Sequence, residues 1–157
     1  MNVLITGGSC GIGRATADLY AAKGHNVCEI SRSGTDRAGV RHIDGDVTDT
    51  ESVKSAVAAA AAALGTIDIL ISNAGFGISG PIEEVTDAAL TKQFDVNVFG
   101  AVRVLREVLP HMRAAGRGRV VLVSSVAGAI PIPFQAYYSM TKAAINSLGL
   151  SLRNEMK

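Results

Sequence analysis

Two stretches of this chain hold residue types whose spacing could do chemistry. The first is Tyr138-Ser-Met-Thr-Lys142, with Ser124-Ser125 upstream of it. Positions four apart on a helix share one face, so Tyr138 and Lys142 would lie side by side. A free tyrosine, with a pKa of about 10, moves protons poorly at neutral pH. An ammonium about 4 Å away is worth about 4 kcal/mol at an effective dielectric of about 20, enough to lower a phenol by up to ~3 units. That would bring it towards the range useful for acid–base work. Taken alone, a Tyr/Lys pair reads first as a solvated helix face. Tyr137 is the competing tyrosine, but Lys142 lies five positions on, and packing is its expected role.

The second stretch is Thr6-Gly7-Gly8-Ser9-Cys10-Gly11-Ile12-Gly13. The apolar run Asn2-Val3-Leu4-Ile5 precedes it and helical character from Arg14 to Lys23 follows. Strand, glycine turn and helix start together make a phosphate cradle. Glycines permit the tight turn and a close backbone approach, and the helix N-terminus offers free N–H groups to negative charge. The spacing is G-x-x-x-G-x-G.

The elements that must position these residues follow from the pattern. Strands are expected at Val3–Ile5, Asn26–Ile30, Val40–Ile43, Ile67–Ile71 and Arg119–Ser124, as continuous apolar runs of the kind found in a parallel sheet covered on both faces. Helices are expected at Arg14–Lys23, Thr50–Leu64, Asp87–Val98, Ala101–Ala115 and Ala136–Met156. The Ala56–Ala63 tract belongs to a crossover helix, alanine being the best helix former. Only Ser31–Gly39 separates the second and third strands, too short for a crossover helix, so a loop is expected there. Strand–helix alternation predicts a doubly wound α/β sheet.

Composition narrows the partners. The chain has 157 residues, enough for one domain with its own core, and a net charge of +1, which suggests neither nucleic acid nor an anionic membrane surface. No apolar run approaches the length of a membrane span. Cys10 and Cys28 lack disulfide or metal-ligand spacing, so no metal site is expected and a reducing, cytoplasmic setting is. Charged side chains are only 18% of residues against 48% hydrophobic, a balance tilted towards a buried interior.

Further polar groups cluster where ligands bind in open α/β sheets, at the C-terminal ends of strands. They are Ser31-Arg32-Ser33, Asp46-Val47-Thr48-Asp49, Ser72-Asn73-Ala74-Gly75 and Ser124-Ser125-Val126-Ala127-Gly128. With these in place, the chain resembles the short-chain dehydrogenase/reductase family in its compact single-domain branch. The residues carrying the resemblance are T-G-G-S-C-G-I-G at 6–13, D-V at 46–47, N-A-G at 73–75, Asn97, S-S-V-A-G at 124–128 and Y-S-M-T-K at 138–142. They run in order along the whole chain. Y-x-x-x-K alone is common; with the other elements it is specific.

The resemblance implies a Rossmann-type sheet over residues 1–157 and an oxidoreductase interconverting an alcohol and a carbonyl on a small-molecule substrate. It makes Tyr138 the general acid/base, with Ser125 bonding the substrate oxygen. Lys142 would act on Tyr138 and bind the nicotinamide ribose, and Asn97 would position a water in a proton relay. The cofactor residues it implies are Gly7, Ser9, Cys10, Gly11, Ile12, Gly13, Ser31, Arg32, Asp46, Val47, Asn73, Ala74 and Gly75, with Tyr138 and Lys142. Relatives that bind NAD(H) place an acid at the end of the second strand. Here Ser31-Arg32 stands there, and an arginine suits a 2′-phosphate, so NADP(H) is preferred over NAD(H). Arg14 is a second candidate cation, and Glu29, inside the strand, is read as structural. Asp46 would receive the adenine amino group with Val47 beside the ring. Subunits of the family pair through two long helices, here Ala101–Ala115 and Ala136–Met156, and Val102, Leu105, Val108 and Leu109 are candidates for that homo-oligomer contact.

The family continues through about two more strand–helix units, carrying the nicotinamide-bordering P-G segment and the mobile substrate loop. This chain reaches Lys157 without them, so a C-terminal truncation is expected, with Arg119–Ser124 as an apolar sheet edge and the substrate unreadable. Residues Ile130–Phe134 are expected to pack as a loop. An inactive or regulatory nucleotide-binding fragment is the alternative to an enzyme.

Overall fold

The computed structural model describes residues 1–156; Lys157, the last residue of the expected domain, lies outside the described residues. The chain forms two compact units: Met1–Ala74 with Gly100–Val121, and Gly75–Phe99 with the chain from Leu122 onward.

The first unit is built on a five-stranded sheet. β1 (Asn2–Thr6) leads into α1 (Gly11–Ala22), then β2 (Asn26–Ser31), β3 (Val40–Asp44), α2 (Thr50–Leu64) and β4 (Ile69–Ser72). Later in the chain come α4 (Gly100–Ala115) and β5 (Arg119–Leu122), after α3 (Asp87–Phe94) of the second unit. The strand order is β3-β2-β1-β4-β5, with parallel pairing of β1 to β2 and β4 and of β2 to β3. This is the doubly wound α/β arrangement that the sequence predicts. β1 sits in the middle between β2 and β4, and Val3, Leu4, Ile5 and Leu70 are completely buried. Val53 and Val57 of α2 and Val104 and Val108 of α4 complete an aliphatic core. Each such side chain contributes about 1.5–3 kcal/mol by leaving water. Leu105 is buried as well, so two of the four α4 residues considered for a subunit contact are spent on the core.

Element boundaries move for identifiable reasons. α1 begins at Gly11, not Arg14, because the loop glycines enter the helix despite their poor propensity. β5 ends at Leu122, not Ser124, since the Val123 carbonyl accepts a hydrogen bond from Lys142 Nζ. The β2–β3 connection is a loop, as its length requires.

In the second unit, the helix expected over Asp87–Val98 is α3 followed by a π-helical segment, Asp95–Phe99. A short 3₁₀ turn, Val126–Gly128, precedes α5 (Ala136–Glu155). The buried set here differs in kind from the aliphatic core of the first unit. It includes Gln93, Asn97, Ser139, Thr141 and Lys142. Buried polar groups persist only when paired or put to use. Residues Ile130–Phe134 do not pack as expected: Ile130, Ile132 and Phe134 are exposed, and Phe134 holds a left-handed φ of 62° while its carbonyl accepts from Gly80 N–H.

Candidate functional site

Within the first unit, the glycine loop is fixed by close approaches that exclude side chains. A Cβ on Gly13 would overlap the Gly7 carbonyl oxygen and stand 2.5 Å from Asn73 Nδ2. A Cβ on Gly7, whose φ is 68°, would lie 3.0 Å from Ala74 Cα. Asn73 donates from Nδ2 to the Thr6 and Gly7 carbonyls, each at 3.1 Å, so the turn after β4 clamps the turn after β1. Thr6 completes the clamp, its hydroxyl oxygen accepting from the Asn73 and Ala74 N–H groups. Thr6 is a positioning residue: it stands in the motif, but the motif reading gave it no role of its own.

The loop opens into α1 as an anion site requires. Cys10 is the N-cap and makes no side-chain capping bond, and the first turn holds no acidic residue. The first helical turn therefore presents backbone N–H groups without intrahelical acceptors. Nothing lies within 4 Å of the position a Gly11 Cβ would take, and Ile12 is 71% exposed. A pyrophosphate fits this cradle by donor set and by space. Ser9 is half-buried beside it and Cys10 exposed.

Ser31 and Arg32 follow β2, with Ser31 half-buried and Arg32 exposed. Arg14 pairs with Asp18 at 3.7 Å on an exposed face of α1. Arg37, not singled out by sequence, bonds Asp18 at 2.6 Å and the Gly8 carbonyl at 3.0 Å. Asp46 Oδ1 accepts from the Thr48 N–H and hydroxyl. Burial opposes the Asp46 charge, but those two bonds and the charges of Arg32 and Arg103 hold its carboxyl below the usual range. It is thus kept as an acceptor. Val47 is nearly buried, and a Cβ on Gly100 would come within 2.8 Å of it, so its packing against the start of α4 is tight.

The second unit gathers Asn97, Gly75, Tyr138 and Lys142. Asn97 Nδ2 donates to the Phe76 carbonyl at 2.8 Å and to Thr141 Oγ1 at 3.1 Å, while its Oδ1 accepts from Phe76 N–H. Both amide protons are committed, so a water would be held by the remaining Oδ1 lone pair or by a backbone carbonyl of the widened π turn. Thr141, buried, also donates to the Tyr138 carbonyl. A Cβ on Gly75 would meet Asn97 Oδ1 at 3.1 Å and Lys142 Nζ at 3.7 Å, which brings amide and ammonium to one point. Lys142 is 6% exposed; its Nζ donates to the Val123 carbonyl at 2.8 Å and stands 5.7 Å from the Tyr138 ring centroid. Burial pushes the Lys142 ammonium below its ordinary pKa.

Ser125 caps the 3₁₀ turn by accepting from Ala127 N–H, and Ser124 donates to the Lys142 carbonyl. A Cβ on Gly128 would fall 2.8 Å from the Lys142 carbonyl carbon and oxygen, so this turn seats directly on α5. Tyr137 donates instead to the Ile82 carbonyl, consistent with packing. Phe76 carried no sequence signal, and Thr141, though inside Y-S-M-T-K, was given no role, because the contribution of each is a cross-segment bond. Among the described residues, no helix is long and apolar enough to cross a membrane.

A family model described as short chain dehydrogenase matches residues 1–157. The chain is 39% identical to the 3-ketodihydrosphingosine reductase of Bacteroides thetaiotaomicron, over 98% of this chain and 58% of the relative. It superposes with a TM-score of 0.92 on a short-chain dehydrogenase from Streptomyces avermitilis, at 36% identity, covering 98% of this chain and 60% of that one. The structure titled ElxO with NADP bound aligns with a TM-score of 0.90 at 29% identity, covering 97% of this chain and 67% of that one. The chain thus spans 58% of the length of that curated relative.

Proposed function

This chain belongs to the short-chain dehydrogenase family, and from that premise we propose that residues 1–157 form the dinucleotide-binding and proton-transfer part of an NADP(H)-dependent oxidoreductase interconverting an alcohol and a carbonyl. The observation that carries this reading is the buried Lys142 ammonium, drawn to the Val123 carbonyl beside Tyr138 and Asn97. A buried ammonium is costly to keep, and a chain that only bound a nucleotide would have no need of Tyr138 beside it.

In this reading Tyr138 gives its hydroxyl proton to the substrate oxygen in reduction and takes it back in oxidation. Ser125 donates a hydrogen bond to that oxygen and stabilises the charge developing there. Lys142 holds positive charge beside the phenol and bonds the nicotinamide ribose. Asn97 fixes the π turn that holds a water on the way to Lys142. The dinucleotide, when bound, supplies the hydride. Gly7 through Gly13 hold its pyrophosphate, with Asp46 and Val47 at the adenine and Asn73, Ala74 and Gly75 along the adenosine side. Arg32 receives the 2′-phosphate, and likeness to a structure with NADP bound supports that choice over NAD(H). We further propose a small-molecule substrate, a homo-oligomeric whole protein and a reducing, cytoplasmic setting that suits the free Cys10 and Cys28.

The test is titration of the protein with NADPH and NADH by fluorescence, followed by nicotinamide oxidation with a panel of carbonyl compounds. Tight NADPH binding, with carbonyl-dependent oxidation in the full-length protein, is expected. Failure to bind either dinucleotide would overturn the reading. Binding without turnover on any carbonyl would favour the regulatory nucleotide-binding alternative.

A further inference from the structure

The first unit buries a carboxylate that the proposed chemistry does not use. Glu29 on β2 is completely buried, and its Oε2 has no hydrogen-bond partner. Its Oε1 meets His42 Nδ1 of β3 at 2.5 Å and the Ser31 hydroxyl at 3.2 Å. His42 Nε2 in turn meets Asp44 Oδ1 at 3.1 Å. An orphaned buried carboxylate oxygen is expensive, so its retention calls for an explanation.

The pair lies between the two loops assigned to the dinucleotide. A Cβ on Gly8 of the glycine loop would come within 3.0 Å of Glu29 Oε2. A Cβ on Gly34 of the β2–β3 loop would come within 2.7 Å of both Glu29 Oε1 and His42 Nδ1. The same β2–β3 loop carries Arg32 and Arg37, and Asp36 within it accepts from the His42 backbone N–H at 2.7 Å. Arg32 is thus presented from a loop seated on the Glu29–His42 pair.

Resting on the cofactor reading above, we propose that Glu29 and His42 are positioning residues, a proton-linked pair whose charge state sets how strongly the cradle distinguishes a 2′-phosphate from a 2′-hydroxyl. With His42 protonated, the imidazolium balances Glu29. With His42 neutral, an uncompensated carboxylate remains beneath Gly8 and repels a phosphate. Two charged groups face the imidazole, Glu29 from β2 and Asp44 from its own strand. α1 and α2 also pack against β3, with Arg14, Asp18, Glu51 and Lys54 at exposed positions. Burial opposes the His42 charge, but the bonds to Glu29 and Asp44 outweigh it and raise its pKa from the ordinary value. The NADPH preference is therefore greatest at acid pH and falls as pH rises through the His42 transition.

The experiment measures NADPH and NADH dissociation constants from pH 5.5 to 9 for wild type and His42→Gln, which keeps an amide donor but no titration. The phosphate's own ionisation is common to both proteins, so the quotient of their preferences isolates the imidazole. That quotient should be about three- to tenfold at acid pH and fall to unity at alkaline pH, as expected of one partly screened charge. Glu29→Gln keeps the titrating imidazole but removes a group that raises its pKa, so the transition should remain and move to lower pH. A measurement on wild type alone follows the His42 ring protons by NMR. By linkage, bound NADPH must raise the His42 pKa more than bound NADH does. A pH-independent quotient, or equal His42 titration with both nucleotides, overturns the inference and leaves the cofactor reading standing. Failure of wild type to bind either nucleotide overturns both.

Discussion

Gly13→Ala should damage the first unit more than Gly11→Ala, although Gly11 is the one in left-handed backbone. At Gly13 the new methyl overlaps the Gly7 carbonyl oxygen and stands 2.5 Å from Asn73 Nδ2 and 2.9 Å from the Gly7 carbonyl carbon. None of these can yield freely, because Gly7 O is itself the acceptor of the Asn73 amide. Overpacking of this kind costs about 1–3 kcal/mol, and loss of the hydrogen bond adds about 0.5–1.5 kcal/mol. Alanine's better helix propensity returns up to about 1 kcal/mol. A net loss of about 2 kcal/mol corresponds to a Tm lowered by about 4–8 °C for a chain of this size. At Gly11 the φ is 54° and nothing lies within 4 Å of the methyl, so backbone strain of about 1–2 kcal/mol is added, and helix propensity returns nothing at a residue held in left-handed backbone. Its Tm should fall by about 3–6 °C, less than that of Gly13→Ala. The space its methyl enters is the space assigned to the pyrophosphate, so NADPH binding should weaken in both variants. Differential scanning fluorimetry and NADPH titration read the two effects separately. A Tm for Gly13→Ala equal to wild type, or a larger loss for Gly11→Ala, would refute the claim that close backbone approach fixes this loop.

Arg32→Ala should weaken NADPH binding by about 1.5–3 kcal/mol, the value of a charge-assisted contact, and leave NADH binding unchanged; equal losses for both nucleotides would place the 2′-phosphate elsewhere. In the full-length protein Tyr138→Phe keeps the ring and should lower turnover by about 10²–10⁴-fold while leaving NADPH affinity nearly intact, and a smaller loss would mean another group moves the proton. The Asp68 carboxylate accepts from Asn2 N–H, and Arg117 lies beside it, which together hold its pKa below the unfolded value despite some burial. Its stabilisation is complete above the unfolded carboxylate pKa of about 3.9 and disappears as pH falls through the lower folded value. Asp68→Asn should accordingly melt below wild type at pH 7 and converge with it in acid; a constant gap across that range would contradict the charge-based account.

What could be read in the sequence is what depends on local spacing. Glycines seven to thirteen residues into the chain, between an apolar run and a helix, define the cradle because the turn's demands fall on the residues that form it. Tyr138 and Lys142 share a face because helical geometry requires it. What could not be read is where a side chain is drawn by a partner distant in sequence. The spacing alone scaled the Tyr138–Lys142 interaction at about 4 Å. In the folded chain the Val123 carbonyl accepts from Nζ, which stands 5.7 Å from the ring centroid. That bond also explains why β5 stops early, since Val123 gives its carbonyl to Lys142. The π turn at Asn97 has the same origin: an amide that must satisfy both backbone groups of Phe76 and the hydroxyl of Thr141 is served by a helix that widens locally. Glu29 shows the limit most sharply. An acid inside an apolar strand is readable as an anomaly, but the parallel register that places Glu29 opposite His42 and Ser31 opposite Asp44 exists only in the assembled sheet. A buried charge whose partner is assigned by register is thus where one sequence says least and the folded chain adds most.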